Sequence, residues 1–536
     1  MPACSKLRIN NLRLSLDGED RELRQQVLKT LKAREEDLTS CRLAKISVDA
    51  RDKRDVHFVV SADAILRGSE GAYLRRLKPG VAVPVPEDAP LAPPEAASRP
   101  HAPVVVGLGP AGLFAALYLA RAGLCPLVVE RGDPVEERAR KVSDFTEHRQ
   151  LDPESNIQYG EGGAGAFSDG KLTTGIKDPL CRTVLYELAA HGAPEDILRL
   201  AHPHIGTDRL PATVKAIREE ITALGGKVLF RTRLTGLIVK DGHLRGVRLS
   251  GGEGETEVPA DQVLLAIGHS ARDTHELLLS AGVTARQKPF SVGFRIEHLQ
   301  KEINKAQYGH FAGHPRLPAA EYKLSAHLKD GRGVYTFCMC PGGVIAPAAS
   351  ELGGVCVNGM SPFKRDGVNA NSAVLVDVRT EDFPGPGPLA GFDLQRSLEQ
   401  RAFELGGGDY SAPAQRLGDF LKDVPSTGFG SVRPTYLPGV TPTDLNGLLP
   451  EPFRSDLKAG LTLFGQRLQG FDAPDAVLTG VETRSSCPVR YERDERYMSS
   501  LQGLWLAGEG AGCAGGITSA AVDGLRCARM IAEDSP

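Results

Sequence analysis

The sequence predicts an α/β protein: a Rossmann-like parallel-sheet domain delivered in two pieces, a β-rich segment inserted between them, and a small α+β module in front. Three observations carry that expectation. A strand–glycine–helix–strand unit spans Val104 to Gly132, a second strand–glycine–helix transition lies at 501–528, and the chain from Phe290 to Val378 is dominated by short β-like runs. Strands that alternate with helices build parallel sheets, whereas strands in succession build antiparallel ones.

In chain order, residues 1–77 read as the small module. Leu7–Leu14 alternates like a strand, and Asp20–Glu35 is an amphipathic helix that begins among acids and ends among bases, as the helix dipole favours. Cys41–Ala50 and Val56–Ala62 follow as two strands, giving a β-α-β-β pattern. Its Arg42, Lys45, Arg51, Lys53 and Arg54 are interleaved with acids and lack a ladder of stacking aromatics, which describes a solvated face rather than a nucleic-acid surface. Residues 78–103 are rich in Pro and Ala and read as a semi-rigid linker.

The unit beginning at Val104 is a dinucleotide-binding fingerprint. Gly107 permits the tight turn, Gly109 lets backbone N–H groups approach a pyrophosphate, and Gly112 lets helix and strand pack closely. Pro110 and Ala111 open the helix, whose N-terminus favours phosphate. Glu130, followed by Arg131, ends the next apolar run, where an acid accepts hydrogen bonds from an adenosine ribose.

A charged helix is expected over Val135–Arg149. The next segment, Tyr159-Gly-Glu-Gly-Gly-Ala-Gly-Ala-Phe-Ser-Asp-Gly-Lys-Leu172, is dense in glycine. Gly162, Gly163 and Gly165 allow a backbone loop to lie against a flat or anionic ligand, with Ser168 and Lys171 within reach of it. A helix over Pro211–Leu224, a hairpin of Val228–Leu237 with Leu244–Leu249, and a strand Val258–Ile267 opening into Gly268 complete this part. The β-like runs of the central segment are Ser291–Glu297, Tyr322–Ala326, Gly333–Cys340, Gly354–Gly359 and Ala373–Val378. The final transition runs from a strand into Gly508-Glu509, through a glycine loop containing Gly515, and into a small-residue helix at Gly516-Ile517.

Bulk properties narrow the function classes. With 536 residues, 41% hydrophobic, 24% charged and a net charge of -3, the chain is an ordinary globular composition with no global pull toward nucleic acid or anionic membrane. No apolar run reaches the roughly 18 residues that span a bilayer, and the N-terminus has no signal-peptide core. Ten cysteines show neither a disulfide framework nor a CxxC or Cys/His metal spacing, so reduced thiols in a cytoplasm and no metal are expected.

Two remote glycine transitions around a β-rich insertion resemble the glutathione-reductase-type FAD/NAD(P)-binding oxidoreductases. Within them, the segment from Tyr159, Pro203-His-Ile-Gly-Thr-Asp, Ala266-Ile-Gly-His-Ser-Ala-Arg-Asp-Thr, Phe337-Cys-Met-Cys-Pro-Gly-Gly, Asn358-Gly-Met-Ser and Gly508-Glu-Gly-Ala-Gly-Cys-Ala-Gly-Gly-Ile resemble bacterial uncharacterised FAD-dependent dehydrogenases over nearly the whole chain. The resemblance implies FAD as cofactor, with an FAD-binding domain formed by 104–285 and 485–536 and a substrate domain at 286–484. It implies that Glu509 contacts the ribityl chain and pyrophosphate, and that the helix at Gly516 points its N-terminus at flavin N1/O2. Cys513 stands where the resemblance leads one to expect an aromatic residue.

The expected activity is that of an FAD-dependent dehydrogenase or reductase exchanging a hydride between flavin N5 and a small-molecule substrate. No second GxGxxG unit exists for a built-in NAD(P)H domain, so NAD(P)H or another electron donor would bind transiently. Candidates for substrate chemistry are His269, Arg272, Arg295 and Arg490, each with a packing or ion-pair role as the plainer reading, and Lys171, which reads equally as a contact to flavin N5/O4 or a phosphate and as a solvated loop Lys. Cys338-x-Cys340 is the one close cysteine pair. In an extended strand a bridge between them would be strained, which favours buried strand thiols; Cys487 and Cys513 are weaker candidates. Two other classes compete: a flavoprotein acting on RNA, motivated by the N-terminal module, and a scaffold holding FAD structurally.

Overall fold

A computed structural model describes residues 4–85, 90–252 and 254–534. In the N-terminal module, strands Cys4–Leu14, Leu38–Asp49, His57–Arg67 and Ala82–Pro84 form one sheet, with Cys4–Leu14 and His57–Arg67 in the middle. Helix Asp20–Leu31 buries Leu23, Val27 and Leu31, and ends at Lys32 in the left-handed region (φ 51°), short of the expected Glu35. Glu35–Asp37 instead forms a separate short turn.

The segment read as a linker is anchored along its length, apart from residues 86–89, which lie outside the described residues. Ala82–Pro84 pairs with Leu7–Ile9 as an edge strand. Further on, Leu91 N–H donates to Glu187 at 2.7 Å, and the Arg99 guanidinium donates to the carbonyls of Ile531 and Asp534, each at 2.7 Å. Backbone polar groups beside a folded surface find partners there, and Pro-rich composition does not forbid it.

The parallel sheet has five strands in the order Leu504–Leu506, Val263–Leu265, Val104–Val106, Leu127–Val129, Lys227–Leu229. Chain from both sides of the central segment therefore contributes to one sheet. Helices Pro110–Arg121 and Ile517–Glu533 pack against one another so closely that a Cβ on Gly524 would meet the Ala111 carbonyl oxygen at 2.0 Å.

Two expected strands are each divided. Val228–Leu237 splits at Arg231 (φ 50°) into Lys227–Leu229 of the parallel sheet and Arg233–Lys240 of a three-stranded antiparallel sheet with His243–Gly251 and Gly254–Pro259. Val258–Ile267 likewise breaks after Pro259 and resumes at Val263. A run of apolar residues records burial, and burial continues across a change of sheet.

The central segment forms a seven-stranded sheet ordered Ser325–His327, Gly333–Cys340, Asn369–Val378, Phe290–Leu299, Val477–Glu482, Ala412–Arg416, Val440–Pro442. It is antiparallel except for the last pair. Helix Phe453–Arg467 packs on it through Phe453, Leu457, Leu461 and Phe464. The N-terminal module touches both larger parts: Ile46 exchanges backbone hydrogen bonds with Arg199 and Ala201 at 3.0 Å, and Arg316 lies over the Phe58 ring at 5.4 Å. Among the described residues no helix is long and apolar enough to cross a membrane.

Candidate functional site

A cavity of about 1600 Å³ runs from the Gly107 turn, past the central sheet, to the inner face of the N-terminal module. Ordinary ligand pockets hold about 300–1,000 Å³, so this one has room for an extended dinucleotide and a second molecule.

The fingerprint end is built by close backbone approach. Gly107 takes φ 95°, and a Cβ there would lie 2.4 Å from the Ala266 carbonyl oxygen. A Cβ on Gly112 would lie 1.9 Å from the Gly107 oxygen, so Gly112 is a packing residue and does not line the cavity. Gly109, Pro110 and Ala111 do line it, placing the N-terminus of a twelve-residue helix at its wall. Such a terminus attracts anions.

Glu130 is 4% exposed and lines the cavity. Its carboxylate accepts the N–H groups of Leu108 at 2.8 Å and of Gly132 and Gly160 at 2.9 Å, which leaves one lone pair, on Oε2, for a further donor. Arg131 stacks over the Tyr159 ring at 4.4 Å and pairs with Asp273 and Glu154.

The second glycine loop crosses directly over the fingerprint. A Cβ on Gly163 would sit 3.0 Å from the Gly109 Cα, and one on Gly165 would sit 3.1 Å from Ile517 Cγ1. Gly162 instead packs against Ala166 and Val214, away from the cavity. Gly268, Gly508, Glu509, Gly515 and Gly516 line the wall where Ile517–Glu533 begins. Glu509 accepts Cys487 N–H at 2.9 Å, and burial pushes its carboxyl above the usual range. Ser168 braces its own turn, donating to the Gly165 carbonyl at 2.7 Å and accepting Gly170 N–H at 3.0 Å. Lys171 donates to the Met339 carbonyl and lies 3.7 Å from Glu321.

The other candidates divide. His269 faces the cavity, holds Gln395 at 3.0 Å, and is lowered by burial to about 3, so it is neutral at physiological pH. Arg272 is 3% exposed, pairs with Glu399 at 3.1 Å and Glu351 at 2.6 Å, and is not a cavity residue. Arg295 is fully buried behind the wall and pairs with Glu482 at 3.0 Å. Arg490 is exposed on the short strand Val489–Tyr491, outside the cavity. None of these three candidate arginines lines the cavity; burial with an acid partner, or exposure on an edge, accounts for each.

Several cavity residues are not among those the sequence singles out. Asp169 and Arg365 form a buried ion pair that continues to Glu321 at 2.9 Å. Arg484 is held by Glu399 at 2.9 Å and donates to Ser270 Oγ at 2.9 Å. Asp169 sits inside the glycine loop, which was the one available pointer; nothing near Arg365 or Arg484 in sequence marks them. The pair Cys338/Cys340 also departs from the extended-strand reading, because Cys338 takes φ 44° and faces the cavity.

Fold and site together define a protein built around an extended dinucleotide. Residues 289–485 match the family described as FAD-dependent protein, C-terminal domain-like, and residues 6–65 match a domain of unknown function, DUF8436. An "Uncharacterized protein" of Clostridium beijerinckii is 46% identical over 529 residues, covering 98% of each chain. The chain belongs to the family of that protein, and its cofactor is FAD. Among solved structures, a geranylgeranyl bacteriochlorophyll reductase-like protein of Thermoplasma acidophilum is similar at 13% identity and TM-score 0.36, covering 82% of this chain and 79% of that one. CtdE in complex with FAD is similar at 12% identity and TM-score 0.31, covering 81% and 84%. Likeness this remote adds nothing to the geometry of the residues themselves.

Proposed function

We propose that the protein is an FAD-dependent oxidoreductase that exchanges a hydride between flavin N5 and a small-molecule substrate held against the central sheet. The carrying observation is the convergence of Gly109, Gly163, Gly165 and Ile517 in one cavity larger than a dinucleotide alone requires. FAD supplies the two-electron chemistry, and the protein supplies orientation and electrostatics.

In this reading the helix start at Pro110 and the N–H groups beside Gly109 hold the pyrophosphate, while the one spare lone pair of Glu130 accepts an adenosine ribose hydroxyl. Glu509 takes ribityl hydroxyls, and the N-terminus of Ile517–Glu533 stabilises negative charge at the pyrimidine edge. Neutral His269 is a hydrogen-bonding group there rather than a cation. Lys171, Arg365 and Glu321 border the remaining space and orient a polar substrate. Electrons arrive from NAD(P)H or another donor that binds transiently.

The test is the visible spectrum of the purified protein, followed by anaerobic reduction and a metabolite screen for reoxidation. Bound yellow flavin that is reduced and then reoxidised by a substrate supports the reading. A flavin that no metabolite reoxidises would count against an enzyme of this kind.

A further inference from the structure

We propose that Cys338 and Cys340 form a redox-active dithiol that exchanges an electron pair with the FAD of this cavity, making a dithiol or disulfide compound the substrate class. The proposal rests on the oxidoreductase reading above and adds the group that meets the substrate.

The backbone brings the two thiols into a geometry that a regular strand would not. Gly333–Cys340 pairs with Asn369–Val378 in register as far as Phe337 opposite Ala373, and the pairing then shifts so that Cys340 faces Asn371. Cys338 sits in that irregularity with φ 44°, a left-handed conformation that costs a non-glycine residue about 1–2 kcal/mol. Backbone outliers of this kind cluster at functional sites. Cys338 is half-buried on the cavity wall between Phe337 and Met339, and Cys340 is buried behind it.

The surroundings favour different roles for the two sulfurs. Cys340 Sγ–H donates to the Cys338 carbonyl at 3.3 Å, and the buried Arg295 guanidinium donates to that same carbonyl and to Cys340 Sγ at 3.3 Å. The neighbouring Cys340 thiol, helped by Arg295 and Lys171, holds Cys338 below the usual thiol range, while Cys340 is pushed up. A thiolate facing the cavity with a protonated thiol behind it is the arrangement of an attacking and a resolving cysteine. Lys171 ties the pair to the flavin side: its ammonium holds the Met339 carbonyl, and its own loop abuts Ile517 through Gly165.

The step balances with oxidised flavin as acceptor. The Cys338 thiolate and the Cys340 thiol would form one S–S bond, giving up an electron pair and the Cys340 proton, for which bound oxidised FAD would be the two-electron acceptor. An external dithiol then attacks the Cys338–Cys340 bond, leaves as a disulfide, and restores the thiolate and thiol with release of one proton.

The test uses the full-length holoprotein under anaerobic conditions with dithiothreitol as the external dithiol. Its visible spectrum is recorded first. Wild type is expected to bleach on addition of dithiothreitol, while Cys338→Ser and Cys340→Ser retain bound FAD and do not bleach. Diamide should remove both alkylation sites from the peptide carrying the two cysteines, read by mass spectrometry. The iodoacetamide rate at Cys338 should rise with a midpoint well below the ordinary thiol value of about 8.5; a midpoint at or above that value would overturn the thiolate. Serine variants that bleach at the wild-type rate, or thiols that stay separate under diamide in a yellow protein, would overturn the dithiol. A colourless protein whose cysteines still pair would instead overturn the flavin acceptor, and with it the proposal.

Discussion

Glu130 accepts a hydrogen bond from the backbone N–H of Gly160 at 2.9 Å, so the acid that ends the second parallel strand also fastens the start of the glycine loop. The same carboxylate holds Leu108 N–H in the fingerprint turn. One buried side chain thus sets the spacing between two backbone surfaces that face the cavity.

Glu130→Gln replaces one acceptor oxygen with an NH2 group aimed at a backbone N–H. Leaving a donor unsatisfied and losing charge assistance costs about 1.5–3 kcal/mol. We expect FAD affinity to fall by about 10- to 150-fold at about 1.4 kcal/mol per decade, measured by fluorescence titration of the apoprotein. An unchanged Kd would remove Glu130 from the cofactor site.

Gly163→Ala forces a Cβ to 3.0 Å from the Gly109 Cα at φ 59°. The left-handed strain alone is about 1–2 kcal/mol, so the loop should lift from the fingerprint and weaken FAD binding by about tenfold. Gly242, at φ 75° in the outer hairpin with nothing around it, is the control. Gly242→Ala should lower the melting temperature a little and leave the Kd alone.

Arg272→Met separates structure from chemistry. It removes a buried cation from Glu399, whose carboxyl is held well below its usual range by Arg272 and Arg484. Breaking a buried pair costs about 3–5 kcal/mol, and the remaining Arg484 places the expected loss at the lower end. Urea unfolding should show that loss while the FAD Kd stays as in wild type; a normal midpoint with lost turnover would restore Arg272 as a substrate residue.

Acid should destabilise the fold through its buried imidazoles. Burial lowers His269 to about 3 and His275 and His298 to about 4. Their stabilising contribution is complete above the unfolded value of about 6.5. It is lost as pH falls from there toward the folded values, because the unfolded chain binds protons the folded one refuses. For His298 the full effect is roughly 3 kcal/mol. His298 Nε2–H donates to the Phe471 carbonyl at 2.7 Å, and His298→Gln keeps a donor there. Its melting temperature should therefore fall less steeply between pH 6.5 and 4 than that of wild type; equal slopes would refute a neutral His298.

The sequence by itself determined the features whose causes are local. The turn at Gly107, the helix start at Pro110, the acid at Glu130 and the apolar strands were all legible, because steric freedom, missing N–H groups and period act within a few residues. Tertiary structure decided everything that depends on two remote groups meeting. It alone set Gly163 on Gly109, split the run at Arg231 between two sheets, and closed Arg272 and Arg295 into acid pairs that look in sequence like any candidate arginine. It alone turned Cys338 toward the cavity, because the shift in pairing with Asn369–Val378 is a property of two strands and not of either one.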